Sequence, residues 1–301
     1  MYCFITRWTL AALTVIALSA SRPAAAQNYT FQTVDAPGVD HSVISIHHCT
    51  WLSDTGLIVQ QYFSPDDDLA TSWGHAALFQ DGIWSLLDVP GSIWCGGTRP
   101  NAKGEVALTY ASVDGANHMA IWRRGVYTLL PDLPGYEILA KGINNPGKVV
   151  GFAFDPAGNE HGFVRDVGGF TFFDHPLASP GTAAFAVNDT GTVIGWYDAP
   201  DGSVQSFRKD GGQFETIAPP GNIFTFALAI NNSGVIGGVY LDTGFNFHGF
   251  LLRNGRYTVV DYPGAWITKI DSINDRGEIS GDYITIDGIT HGYVATPIPG
   301  S

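Results

Sequence analysis

Apolar and β-branched residues fall in short runs along residues 29–296, separated by clusters of Gly, Pro, Asn and Asp. The clearest stretch reads Tyr257-Thr-Val-Val-Asp-Tyr-Pro-Gly264, Thr268-Lys-Ile-Asp-Ser-Ile-Asn274, Glu278-Ile-Ser-Gly-Asp-Tyr-Ile284 and His291-Gly-Tyr-Val-Ala-Thr296. Runs of this composition, bounded by turn residues, predict β-strands. Residues 214–253 repeat the plan as Phe214–Pro220, Phe224–Asn231, Val235–Leu241 and His248–Arg253. Helical periodicity is absent.

The plan has a fixed period. A Gly closing an Asx-containing turn recurs at Gly56, Gly104, Gly147, Gly191, Gly234 and Gly277, in steps of 43 to 48 residues. His75, His118, His161, Gln205, His248 and His291 keep the same step. A period above forty marks a repeat architecture whose units bury their apolar faces on one another. Four strands in each of six units predict an all-β, six-bladed β-propeller, since radial repetition protects sheet edges. A parallel β-helix is the rival, with coils usually shorter than this period. Tyr29–Asp35 matches Tyr257–Tyr262 and stands alone at the start, so it is expected to enter the last blade as its outer strand and close the ring.

Turn chemistry agrees. Asn274-Asp275-Arg276-Gly277 and its equivalents place Asx at the turn entry and Gly where positive φ is needed. Asp114-Gly115, Asp201-Gly202, Asp242-Thr243-Gly244 and Asp287-Gly288 are expected to join the third and fourth runs of the repeat. They lack the alternating carboxylates of calcium loops. Gly151, Gly195, Gly238 and Gly281, near a recurrent Tyr, suggest close packing of adjacent sheets. The repeated His is expected to bond within or between blades rather than to hold a metal.

Residues 1–26 carry Arg7, an apolar run from Trp8 to Ala20 and Ala24-Ala25-Ala26, the pattern of a cleaved secretory signal. The run is too short to span a bilayer, and no later segment is long and apolar enough. The mature domain, 27–301, is therefore expected outside the cytoplasm, as a monomer. The net charge of −13, more negative once Arg7 and Arg22 leave, argues against nucleic acid and anionic membranes. Cys49 and Cys95 lie in neighbouring units. They are either a disulfide, as an oxidising compartment allows, or two buried thiols.

Candidate chemistry sits where the symmetry breaks. Segments after the Pro-Gly corners carry His41, Trp94, Tyr136 with Glu137, Phe224 and Trp266. These either form an aromatic rim for a glycan or other flat ligand or brace the blades. Counting back from each landmark Gly gives Lys141 and Asp271, with His48 and Lys269 two residues further back, either converging on the channel or forming a buried ion pair. Asp66, Asp67 and Asp68 make an acidic tip, read as a solvated loop. There is no Gly-x-Ser-x-Gly, no His-Glu-x-x-His, no phosphate-cradling loop and no cofactor motif.

The strings Ile230-Asn231-Asn232-Ser233-Gly234 with His248-Gly249-Phe250, Ile273-Asn274-Asp275-Arg276-Gly277 with His291-Gly292-Tyr293, and Ile143-Asn144-Asn145-Pro146-Gly147 with His161-Gly162-Phe163 resemble the HAF-repeat family of predicted extracellular proteins. The first two units depart from that pattern, with Leu52-Ser53-Asp54-Thr55-Gly56 and Pro100-Asn101-Ala102-Lys103-Gly104. The resemblance implies export and a repeated β-fold; the family carries no established activity. Some relatives end in a Pro-Glu-Pro sorting tail, which Pro297-Ile-Pro-Gly-Ser301 does not match. The expected function is a secreted, non-enzymatic binding or scaffold module for a glycan or a protein. The alternatives are a polysaccharide hydrolase or lyase using channel carboxylates such as Asp271 or Glu137, and a structural spacer.

Overall fold

Six antiparallel sheets form a six-bladed β-propeller. The structure is a computed structural model and describes residues 28–42, 48–67, 74–179 and 181–299. The expected leader and much of the acidic tip lie outside the described residues.

Strand β1 (Tyr29–Thr33) precedes the first blade, which comprises β2 (Cys49–Leu52), β3 (Ile58–Tyr62), β4 (His75–Gln80) and β5 (Ile83–Leu86). Blade 2 holds β6 (Trp94–Gly96), β7 (Glu105–Ala111), β8 (Asn117–Arg123) and β9 (Val126–Leu129). Blade 3 holds β10 (Glu137–Ile143), β11 (Val149–Phe154), β12 (Glu160–Asp166) and β13 (Gly169–Phe173). Blade 4 holds β14 (Thr182–Val187), β15 (Val193–Asp198), β16 (Val204–Asp210) and β17 (Gln213–Ile217). Blade 5 holds β18 (Asn222–Ile230), β19 (Ile236–Asp242), β20 (Phe247–Arg253) and β21 (Arg256–Val259). Blade 6 holds β22 (Ile267–Thr268) with β23 (Ser272–Ile273), β24 (Ile279–Ile284) and β25 (Thr290–Pro297).

The ring closes as the sequence predicts. β1 pairs antiparallel with β25, from Tyr29 opposite Pro297 to Thr33 opposite Tyr293, and becomes the outer strand of blade 6. Thr33 Oγ1 also meets the Tyr283 hydroxyl at 3.0 Å. The expected Asp-Gly tips join the second and third strands of blades 2, 4, 5 and 6, which are the third and fourth runs of the repeat, and the Asx-Gly turns join the first and second strands.

The recurrent Gly has a different reason from the one expected. Close approach occurs within a sheet, not between sheets. The inner strands bulge at Lys141, Phe185 and Leu228, which the pairing register skips. Each bulge pushes a main-chain oxygen under the facing Gly. A Cβ at Gly151, Gly195 or Gly238 would stand 1.9 Å from the oxygen of Leu139, Ala183 or Phe226. Blade 1 carries Gln60 at this position, and its inner pairing runs without a shift.

Blades pack through apolar clusters. Val59, Ala76 and Leu78 of blade 1 meet Val106, Leu108 and Trp122 of blade 2. Like clusters join blades 2 and 3, 3 and 4, 4 and 5, and 5 and 6. The seam between blades 6 and 1 is built differently.

Candidate functional site

At one end of the ring the Asx-Gly turns join blade to blade. Asn144 Oδ1 accepts from Lys148 N at 2.8 Å, the turn chemistry read from sequence. Its Nδ2 donates to the main-chain oxygen of Asn188 in the next blade, at 2.9 Å. The same link runs from Asn101 to Asn144, Asn188 to Asn231, Asn231 to Asn274 and Asn274 to Ser53. Blade 1 has Ser53 where the others have Asn. There Arg99 bridges instead, with Nε on Leu52 O at 3.1 Å and Nη2 on Asp54 at 3.2 Å.

A second circuit uses the next turn residue. The main-chain N–H of Ala102, Asn145, Asp189, Asn232 and Asp275 each donates to a side-chain oxygen of the following blade. Repeated Asx residues therefore close the ring as well as the turns. A small recess of about 10 Å³ lies among them, beside Arg99, with room for about one water.

The opposite end carries the landmark histidines. His75, His118, His161, His248 and His291 each hold a carboxylate of their own blade through Nδ1, at 2.5 to 2.9 Å: Asp88, Asp132, Asp174, Asp261 and Asp35. Each Asp stands two residues before the corner Pro, a regularity visible in the sequence and missed there. In blade 4 both partners are gone together, as Gln205 and Ala218. His175, directly after Asp174, stacks on Tyr197 at 3.6 Å, as Tyr262 does on Tyr283 in blade 6.

In four blades the far nitrogen meets a tip oxygen. His75 Nε2 lies 3.4 Å from Asp67, His161 Nε2 3.5 Å from Asp155, His248 Nε2 3.4 Å from Asp242, and His118 Nε2 2.9 Å from Ser112 Oγ. The hydrogen bond to Asp88 raises the His75 pKa. For His161 burial opposes the charge, but the bonds to Asp174 and Asp155 outweigh it and the pKa rises. The side chains are 16 to 29 % exposed, so the imidazoles reach solvent.

Glu160, next to His161, was not singled out from sequence. It faces the Asp198 carboxylate across Gly181. Burial and that charge push its pKa up to about 7.

The polar seam between blades 6 and 1 brings together His48, Lys269 and Asp271, as counted from the landmark Gly, and adds Asp282. Lys269 Nζ donates to His48 O at 2.6 Å and lies 3.1 Å from Asp282 and 3.6 Å from Asp271. Thr50 Oγ1 donates to Asp282 at 2.9 Å, and Gln60 Nε2 donates to Thr50 Oγ1 at 3.0 Å. His48 Nδ1 stands 3.5 Å from Asp282. Burial and the neighbouring Asp282 hold Asp271 well above the usual carboxylate range, against the pull of Lys269. Burial would also raise Asp282, but Lys269 and His48 keep it low. One ammonium thus faces two buried carboxyl groups whose pKa values are pushed in opposite directions. Asp282 had a signal: Gln61, Thr109, Phe152, Trp196 and Val239 occupy its place in the other blades.

Lys141 lies apart from that cluster, its Nζ 5.7 Å from the Phe185 ring centre and 5.8 Å from that of Phe152. Desolvation lowers its pKa. With Trp94 and Gln61 it lines a second recess of about 10 Å³. Trp94 is buried in blade 2. Tyr136 stacks on Phe172 at 5.1 Å, and Phe224 packs on Phe226 and Phe247. Trp266 is half-buried. His41 Nδ1 bonds Thr290 O at 2.7 Å. Glu137 accepts from Asn117 at 2.9 Å. The expected rim residues are thus spread among separate packing sites.

Cys49 and Cys95 are unbridged, which corrects the disulfide alternative. Both fill the apolar core between blades 1 and 2, and burial pushes the Cys95 thiol up to about 12. Cys49 also lies near Asp271 and Asp282 in a set with metal-ligand spacing, but the Lys269 ammonium already supplies the cation there. A second set, Asp35, His41 and His291, is half-buried and opens to solvent.

No family model matches the chain, and no curated protein matches it in sequence. Solved structures share the fold. SapL1 lectin in complex with alpha methyl fucoside is 15 % identical, with TM-score 0.53 over 86 % of this chain and 98 % of that one. AofleA from Arthrobotrys oligospora is 12 % identical, TM-score 0.52, over 90 % of both. The putative TolB from Agrobacterium tumefaciens is 13 % identical, TM-score 0.54, over 83 % of this chain and 90 % of that one. At these identities the likeness is one of fold. No helix among the described residues is long and apolar enough to cross a membrane.

Proposed function

We propose that the protein is an exported, non-enzymatic binding propeller whose His-Asp end engages a polyhydroxylated ligand, a glycan, at several equivalent places. One observation carries this reading: five partly exposed His-Asp pairs repeat at the same end of the ring. The carboxylate oxygens keep lone pairs beyond the His bond and can accept from sugar hydroxyls. Several weak, like sites on one rigid face gain affinity for a branched or repeating ligand. The fold shared with a lectin solved with alpha methyl fucoside supports the ligand class. Export and membership of the HAF-repeat family fit the leader and the repeated strings, and belong to the same proposal.

A hydrolase reading finds less support. Asp271 is buried beside Lys269 and Glu137 is held by Asn117.

The test is a glycan array with the mature chain and with a His118→Ala/His161→Ala double variant. Their partners, Asp132 and Asp174, are the most exposed of the five carboxylates. The reading expects glycan binding that the double variant weakens. Absence of any glycan binding, or binding indifferent to these residues, overturns it. Release of reducing ends would favour the hydrolase.

A further inference from the structure

Blade 6 departs from the other His-Asp sites in one respect. Its tip position, occupied by Ser112, Asp155 and Asp242 in blades 2, 3 and 5, is Thr285, whose hydroxyl donates to Asp287 at 2.5 Å. The neighbour of His291 is instead a second imidazole. His41, in the segment leading from β1 to blade 1, places its ring centre 4.8 Å from that of His291.

The hydrogen bonds define the tautomers. His41 Nδ1 meets the main-chain oxygen of Thr290 at 2.7 Å, and a carbonyl can only accept, so Nδ1 carries the proton. His291 Nδ1 meets Asp35 Oδ2 at 2.9 Å, so it too carries its proton. Asp35 Oδ1 is meanwhile oriented by Gly292 N at 2.9 Å. With Nδ1 thus engaged, Nε2 is the nitrogen each ring can offer to a metal. A carbonyl or carboxylate on the far nitrogen is the usual support of a metal-bound histidine, fixing the ring and raising its basicity. One ligand atom from each of Asp35, His41 and His291 lies within 4.8 Å of the other two.

From this geometry we infer that His41 and His291, supported by Asp35, form a binding site for a divalent transition metal such as zinc. Imidazole ligands suit zinc, and select against calcium and magnesium, which take oxygen ligands. Water completes the coordination, since all three groups are half-buried rather than sealed. The site joins the segment after β1 to the start of β25, so an ion bound there clips the ring closure. It shares His291 and Asp35 with one of the five His-Asp places, but metal binding needs no glycan and is read out without one.

The experiment uses the metal-stripped mature chain titrated with cobalt(II), followed by visible absorption, with zinc as competitor. The expected result is one equivalent of cobalt giving ligand-field bands that zinc removes, and a thermal midpoint raised by zinc. His41→Ala abolishes both effects. Asp35→Asn, which weakens the support of His291, loosens cobalt by about tenfold. Gln205→Ala, at the landmark position of the blade that has no His-Asp pair, leaves them unchanged. Absence of cobalt bands and of a zinc shift in the unmodified chain overturns the inference, with no reliance on any variant folding. So does a His41→Ala protein that binds cobalt as the parent does.

Discussion

The side-chain amide of Asn144 spans the gap between two blades, donating to the main-chain oxygen of Asn188 at 2.9 Å while its own oxygen closes the turn on Lys148 N. One residue thus serves two bonds of different range. Asn144→Asp keeps the turn acceptor and removes the inter-blade donor, leaving a carboxylate against a carbonyl. It is expected to cost about 1–3 kcal/mol in urea unfolding. Asn144→Ala, which loses both bonds, should cost at least as much. An Asp variant as stable as the parent would show that the inter-blade bond contributes nothing.

Gly238→Ala drives a Cβ to 1.9 Å from Phe226 O. The backbone must move, and the expected loss is about 3 kcal/mol or more. Gly212→Ala meets nothing within 4 Å, and should stay within about 0.5 kcal/mol of the parent. Equal effects at the two sites would remove the bulge as the reason for the recurrent Gly.

The buried seam predicts an asymmetry. Burial and Asp282 raise the Asp271 pKa, so Asp271→Asn should cost less than loss of the cation. Lys269→Met leaves two buried carboxyls without their cation and should cost about 3–5 kcal/mol at pH 8. Those carboxyls then fold only when protonated, so their folded pKa values rise above the unfolded ones. The variant's deficit should therefore shrink as the pH falls towards 5. Chemical unfolding of both variants at the two pH values reads this out, and a pH-independent deficit would contradict it.

Glu160 titrates near 7 in the folded chain against an ordinary value of 4.5. The folded state holds the proton more tightly, so stability is lost as pH rises from 4.5 towards 7 and stays lost above. The penalty at pH 8 is on the order of 3 kcal/mol. Glu160→Gln removes it. The variant's thermal midpoint should exceed the parent's at pH 8, with little difference at pH 4.5. A gap of equal size at both would point to packing instead.

Much of the fold was legible because it is written in local chemistry. Alternating apolar runs and Asx-Gly turns mark the strands, and the lone run at Tyr29 marks the closing strand. What sequence concealed were contacts between repeats. Nothing in Asn144 itself shows that its amide reaches Asn188, and Asp88 carries no sign of its bond to His75 until the corner motifs are aligned. The central cluster was partly visible: His48, Lys269 and Asp271 converge as counted, whereas Asp282 lies on the second strand and escaped a search confined to the first. The rim aromatics were misleading in grouping, since Trp94, Tyr136 and Phe224 are drawn into different packing sites by apolar neighbours that a linear reading cannot assign.

The pairing of Tyr29 with Pro297 bears on how the chain is made. The first strand to leave a ribosome finds its partner only when the last has been synthesised. Until then a growing molecule carries blades whose end sheets have bare edges, the condition that invites mispairing. Shortening the chain before residue 290 would leave Tyr29–Thr33 without the strand it needs. Such a product should be insoluble even though five of its sheets retain every residue of their own.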